Sequence, residues 1–264
     1  MHIWAVANQK GGVGKTTSAV TLGGWLARRG HKVLLIDLYP HGSLTSYFGF
    51  DPESTEKSGY MLFQRAAAQE ALHPETVIEQ TRFDNIFVLS ASTAMATLDR
   101  QLGTAGGMGL VIARALKEIE DDYEYVIMDC PPMLGVLMVN ALAACAHLVI
   151  PVQTEFLALK GLERMLRTLQ MVQRSKQFEL NYTIVPTLFD RRTRASIEAL
   201  QELRKRYPDE LWRSVIPVDT RFREASLEGI PLSIMRPGAR GSLHYRELLD
   251  YLLGEEAPVA AINS

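Results

Sequence analysis

The stretch Lys10-Gly11-Gly12-Val13-Gly14-Lys15-Thr16-Thr17 decides how the rest of this chain is read. It follows His2-Ile3-Trp4-Ala5-Val6-Ala7-Asn8, an apolar run of strand character. It opens a helical pattern from Thr16 to Arg29 that Gly30 closes. A glycine-rich turn between strand and helix lets backbone N–H groups converge on one concavity, at the helix end where aligned peptide dipoles favour anions. Gly11, Gly12, Val13 and Gly14 form that turn. Lys15 is placed to reach the outer phosphates of a nucleoside triphosphate, and the Thr16 hydroxyl to bind Mg²⁺, with Thr17 next to it. The pattern departs from the commonest phosphate loop in two places. Gln9 stands where its first glycine would be, and an extra lysine, Lys10, precedes the glycines.

Outward from the loop, apolar runs alternate with helical periodicity. Strands are expected at 2–8, 33–37, 86–90, 124–129, 147–152, 181–186 and 213–216, and helices at 16–29, 108–119, 135–145, 160–174, 194–206 and 242–253. Such alternation predicts an α/β fold, a mostly parallel sheet with helices on both faces, and ligands beyond the carboxyl ends of its strands. The loop, Asp37 and Asp129 all fall at such ends. An unpaired carboxylate after Tyr125-Val126-Ile127-Met128 is costly. Two roles repay that cost for Asp129 and for Asp37: a place in a Mg²⁺ shell, or capping of the turn that follows. With no internal repeat or long linker, 1–264 reads as one domain. Residues 51–80 read as the least regular part, a mobile or partner-facing insertion, and 254–264 as a flexible tail.

At 264 residues and 47% hydrophobic content the chain can build a sizeable core, and its net charge of −2 excludes a chain that is basic throughout. The charge is uneven, however. Residues 191–246 hold 12 Lys and Arg against 7 Asp and Glu, and clustered cations bind phosphate backbones without reading sequence. Cys130 and Cys145 form no metal-binding spacing, and the six histidines are scattered, so no metal cluster is expected. No signal-peptide pattern and no apolar run of about 18 residues is present, which points to the cytoplasm. The amphipathic pattern from Tyr245 to Leu253, with the tail behind it, carries Glu247, Asp250, Glu255 and Glu256. It is unlike a basic membrane-surface helix, and no membrane partner is expected.

Lys10-Gly-Gly-x-Gly-Lys15-Thr-Thr resembles the deviant Walker A motif of the ParA/MinD family of P-loop ATPases. The resemblance continues through Val33-Leu34-Leu35-Ile36-Asp37, through Tyr125 to Pro132 (similar to the family's Walker B strand), through Val149 to Glu155, and through Val215-Ile216-Pro217. It implies ATP and Mg²⁺ as cofactors, with Thr16, Asp37 and Asp129 around the metal and Pro217 beside the nucleotide. It implies an ATP-dependent homodimer in which Lys10 reaches the partner's phosphates. Lys10, Lys15, Asp37 and the residue at position 39 make up the implied catalytic set. Asp190-Arg191-Arg192-Thr193 resembles the family segment whose arginine helps to bind DNA, so Arg192, Arg194, Arg221 and Arg223 are candidates for non-specific DNA contact. A ParB-like protein is one implied partner. The run from Tyr39 to Gly49 most resembles the subgroup that positions chemotaxis arrays at cell poles, which implies an array-linked adaptor as the other. The implied location is the nucleoid or a pole.

Two departures from the family pattern matter. Tyr39 stands where the family carries the second Asp of Asp-x-Asp, and a phenol with a pKa of about 10 is a poor general base at pH 7. ATP binding is expected to survive and hydrolysis to be slow. Val218 follows Pro217 where many relatives place a basic residue. Rival readings are a nucleotide-locked scaffold without turnover and a metabolic enzyme of the same fold, such as a dethiobiotin synthetase or a nitrogenase-like reductase. The latter requires cluster cysteines that Cys130 and Cys145 do not supply.

Overall fold

The apolar runs form strands whose successive residues feed two different cores, as a pleated sheet covered on both faces requires. The computed structural model describes residues 1–98, 100, 107–176 and 180–255. Its strands are β1 (His2–Val6), β2 (Val33–Asp37), β3 (Ile78–Gln80), β4 (Ile86–Leu89), β5 (Tyr125–Asp129), β6 (His147–Gln153) and β7 (Asn181–Thr187). They join one sheet in the order β3-β4-β2-β5-β1-β6-β7, parallel except where β3 meets β4. The expected α/β architecture is therefore present.

One face carries Ala5, Leu34, Ile36, Val126 and Met128. It packs against α3 (Gly59–Ala67), α4 (Val111–Glu118), α5 (Val136–Ala144), α6 (Phe156–Lys176) and α7 (Arg194–Arg206) through Leu62, Phe63, Ile112, Met138, Leu162 and Leu203. The alternate residues Trp4, Val6, Val33, Leu35 and Ile127 face a second core. That core is built with α1 (Lys15–Arg28), α2 (Ser43–Tyr47) and, after α8 (Arg221–Glu228) and α9 (Leu232–Met235), with α10 (Arg240–Leu252). All three tryptophans, Trp4, Trp25 and Trp212, lie in this second core. Each fully buried aliphatic side chain in either layer contributes about 1.5–3 kcal/mol of transfer free energy.

Three expectations are corrected. Residues 213–216 form no strand. The segment follows β7 with Trp212 N donating to Ile184 O (2.9 Å) and Ile216 N to Pro186 O (2.8 Å), leaving only isolated bridges at Leu211 and Pro217. The segment advances four residues, from 212 to 216, while β7 advances two, from 184 to 186, so the register breaks, and Pro186 has no N–H to return. Residues 51–80 are no insertion: Leu62, Phe63, Leu72 and Val77 are buried in the first core, and β3 extends the sheet. Helix α6 starts at Phe156 rather than 160, directly after β6. Of the expected tail, 256–264 lie outside the described residues.

Candidate nucleotide-binding site

β1 lies between β5 and β6, so the loop that leaves it stands over the middle of the sheet's carboxyl edge. Gly12 and Gly14 have φ of +74° and +90°, and Gly14 caps α1. These left-handed positions turn the chain so that its N–H groups face inward, at a steric cost that only glycine avoids. A Cβ added at Gly11, Gly12 or Gly14 would meet no protein atom within 4 Å, so the cradle is open to a ligand. The loop is tied down on two sides. Thr187 Oγ1 donates to Val13 O (2.8 Å) at the end of β7, and Gln9 Nε2 donates to Thr168 Oγ1 (2.9 Å) on α6.

Lys15 is 8% exposed and its Nζ donates to Lys10 O (3.0 Å). Burial pulls its pKa down, against the opposing pull of the Asp129 carboxylate. Thr16 Oγ1 donates to Asp129 Oδ2 at 2.5 Å. Asp129 and Asp37 are register partners on β5 and β2, both fully buried. Burial raises both carboxyls. Asp129 is pushed to about 7, the neighbouring Asp37 charge adding to the effect, and Asp37 to about 6 despite the hydrogen bonds it accepts. Two adjacent buried carboxylates with a threonine hydroxyl fit a hard divalent cation, whose charge relieves their mutual repulsion. Among the described residues no group of three or more His, Cys, Asp or Glu is arranged to hold a metal. That donor set suits Mg²⁺, which keeps its waters and takes further oxygens from phosphates.

Asp37 also organises its own turn. Its Oδ1 accepts from Tyr39 N (3.0 Å) and its Oδ2 from Thr45 N and Thr45 Oγ1 (both 2.8 Å). The turn holds Tyr39 against the phosphate loop, where it lines the same cavity as Lys15 and packs edge-on against His41, ring centroids 4.7 Å apart.

The cavity, about 430 Å³, runs from the loop to a second wall made of Thr187 and Leu188, of Ile216 to Thr220, and of Phe222, Arg223 and Tyr245. Leu188 has φ of +51°, a strained conformation for a branched residue, and it is found here at the cavity edge. Tyr245 is buried, its hydroxyl 2.8 Å from Ser18 Oγ on α1.

The expected residues do not all converge. Gly11, Gly12, Gly14, Lys15, Thr16, Thr17, Tyr39, Asp129 and Pro217 line this cavity. Val13 is buried beneath the loop. Lys10 turns aside and its amine pairs with Glu155, the residue before α6. Arg192 pairs with Asp190 (2.7 Å), Arg194 with Glu198 (2.5 Å) and Arg221 with Asp219 (3.6 Å), so the cationic surface is partly self-neutralised. Arg192 holds the Asp190 carboxyl down at about 2. Arg223, also expected to contact DNA, is exposed and lines this cavity. Sequence reading missed Glu155, Thr187, Leu188 and Tyr245. Glu155 alone carried a signal, an acid at a strand's carboxyl end two positions past Gln153.

A phosphate loop on an interior strand of a mostly parallel sheet, with a buried acid at the neighbouring strand's end, defines the P-loop nucleotide-binding class. A family model described as an AAA domain matches residues 1–182. The sporulation initiation inhibitor protein Soj of Bacillus subtilis is 37% identical over 248 residues, 93% of this chain and 96% of its own length. The chromosome partitioning protein ParA of Caulobacter vibrioides is 33% identical over 260 residues, 97% of this chain and 95% of its own. The crystal structure of cobyrinic acid a,c-diamide synthase from Mycobacterium smegmatis, with bound ATP analogue and magnesium, superposes with a TM-score of 0.81 at 33% identity. It covers 96% of this chain and 94% of that one. The chain belongs to the ParA/Soj family of ATPases.

Proposed function

We propose that this protein is an ATP-switched positioning ATPase of the cytoplasm. ATP fills the cavity with its phosphates in the glycine cradle and against Lys15. Mg²⁺ is held through Thr16 and Asp129, with Asp37 behind them, and offsets the charge of the phosphates. The ATP-bound form pairs with a second copy, binds DNA without sequence preference and carries cargo. Its partner is a ParB-like protein or an array-linked adaptor, and its place is the nucleoid or a pole.

The observation that carries this reading is the rim around Lys10. Met133 (68% exposed) and Leu134 follow β5, while Phe156 (69%) and Leu157 follow β6, on either side of β1 and its loop. Large apolar side chains gathered at a ligand site's edge mark a surface that another protein covers. A second copy fits, because Lys10 stands in that rim, held by an acid of its own chain and able to exchange it for phosphate. No helix among the described residues is long and apolar enough to cross a membrane.

Tyr39 supports slow turnover, since a neutral phenol stands where the resembled Asp-x-Asp pattern has its second carboxylate. The test is sedimentation with ATP-Mg²⁺ and with ADP. A doubled mass in ATP alone, lost in Lys10→Ala while nucleotide still binds, is expected. One mass in both nucleotides sinks the dimer.

The diamide synthase likeness raises a second reading, an ATP-dependent amide-forming enzyme. Against a built-in amide-hydrolysing nucleophile stands the burial of both cysteines, which raises the Cys130 thiol and pushes Cys145 to about 12. Stimulation of ATP turnover by DNA favours the first reading, and stimulation by a carboxylic acid with ammonia favours the second.

A further inference from the structure

The segment Pro217–Arg223 is a wall with two wet sides. Pro217, Val218, Asp219 and Thr220 line the nucleotide cavity and also an outer cleft of about 480 Å³ that contains Arg191, Arg192, Arg221 and Arg240. Where α8 begins, two arginines two positions apart point to opposite sides, as a turn of 3.6 residues dictates. Arg221 serves the outer cleft, paired to Asp219, while Arg223 lines the nucleotide cavity.

Arg223 has no side-chain hydrogen bond or ion pair among the described residues, unlike Arg192, Arg194 and Arg221. Its neighbours in the cavity wall are mostly apolar, Ile216, Pro217, Val218 and Phe222, with Asp219 and Thr220 among them. Asp219, the carboxylate in this wall, accepts from Arg221 N and Gly241 N, both at 3.0 Å, and the neighbouring Glu224 pairs with Arg236. No side chain of this wall therefore pairs with the guanidinium, and Arg223 is exposed and open to a ligand. The wall stands across the cavity from the glycine cradle, where the base of a nucleotide lies when its phosphates are seated on Lys15.

We propose that Arg223 is a nucleotide-contact residue whose guanidinium lies over the face of the purine base. A guanidinium is planar and weakly hydrated, so it can stack on an aromatic ring and keep its edge in water. The inference rests on the nucleotide reading above and separates Arg223 from the DNA surface on which its charge would place it.

The experiment is equilibrium binding of ATP and of tripolyphosphate to the full chain and to Arg223→Ala, with duplex DNA retention at saturating ATP. Arg223→Ala is expected to weaken ATP about 3- to 30-fold, the range of a partly desolvated cation–π contact. Tripolyphosphate affinity and DNA retention stay at the parent's values. Arg223→Lys, which keeps charge but not the plane, recovers part of the ATP loss. Should Arg223→Ala unfold, Arg223→Gln replaces it, and equal melting temperatures make the comparison valid. ATP affinity equal to the parent's overturns the proposal. So does an equal loss for tripolyphosphate, which would make Arg223 a phosphate contact, or a loss of DNA retention with ATP binding intact. A parent chain that binds no ATP overturns the nucleotide reading itself.

Discussion

At one end of the cavity, seven consecutive residues from Gly11 to Thr17 supply the cradle, the buried amine and the hydroxyl, and hydrogen bonds to β7 and α6 fix the loop. At the other end, Leu188, Ile216–Thr220, Phe222 and Tyr245 come from separate segments, and their contribution is mostly apolar surface. The contrast teaches where binding energy and selectivity sit. Charge-assisted contacts to phosphate are strong and depend on local backbone geometry, whereas a base is held by area and shape assembled from afar. Variants at the phosphate end should therefore cost most, and variants farther from it progressively less.

The largest effect belongs to Lys15→Ala. Removing a buried ammonium from the phosphates should weaken ATP about 100-fold, the scale of a charged hydrogen-bond network. The melting temperature without nucleotide should hold or rise, since burial already disfavours the charged amine. Calorimetric titration with a parallel melt checks both. An affinity loss under tenfold would mean that the two ends share the binding energy more evenly.

Tyr39→Asp comes next. It supplies the second Asp of the Asp-x-Asp pattern that this turn resembles, and single-turnover hydrolysis at saturating ATP should rise about tenfold, below the usual span of general-base effects. An unchanged rate would assign the water to another group, with His41 the nearest candidate by contact.

Asp129→Asn sharpens the electrostatic half of the comparison. A carboxyl raised in the folded state to about 7 contributes stability that is complete below its unfolded pKa and lost as pH rises through 7. Without nucleotide, the parent should lose stability from pH 5 to pH 8 through this group. Asp129→Asn should remove that slope and gain on the order of 1 kcal/mol at pH 8. The same variant should lose the Mg²⁺-dependent part of its stabilisation by ATP. Melting curves at the two pH values, with and without Mg²⁺, read both signs.

The smallest change is expected at Arg194→Ala. Its pair with Glu198 is fully solvated, so the melting temperature should not move. DNA retention should fall slightly and equally for all sequences, with a shallower salt dependence. An intact salt slope would remove Arg194 from the DNA surface.

The legible parts of the molecule are those whose physics is local. The phosphate loop was readable because Gly12 and Gly14 need positive φ within three residues, and the parallel strands because Val33–Ile36 and Val126–Met128 are buried on both faces. β3 was illegible: Ile78-Glu79-Gln80 is too short and too exposed to alternate clearly. The run at 213–216 reads as a strand because Val215 and Ile216 are apolar, but only Ile216 is buried and the register with β7 breaks across the run. At the site, the partnership of Lys10 with Glu155 spans 145 positions, and that of Ser18 with Tyr245 spans 227. Neither leaves a mark in any window of sequence. The cavity-lining position of Arg223 was hidden for the same reason, since its charge is visible in the sequence while the direction it faces is a tertiary fact.

The placement of all three tryptophans in one layer gives the molecule a one-sided optical reporter. Trp25 sits on α1, the helix that leaves the phosphate loop. Its indole N–H donates to Ser242 O (2.9 Å) and its ring has Arg28 and Arg246 over it. Intrinsic emission should follow any shift of α1 against α10 when the loop engages a ligand. It should be silent to loosening of α3 to α6 across the sheet. A fluorescence melt that runs ahead of or behind a circular-dichroism melt would thus reveal, without any added label, which of the two layers gives way first.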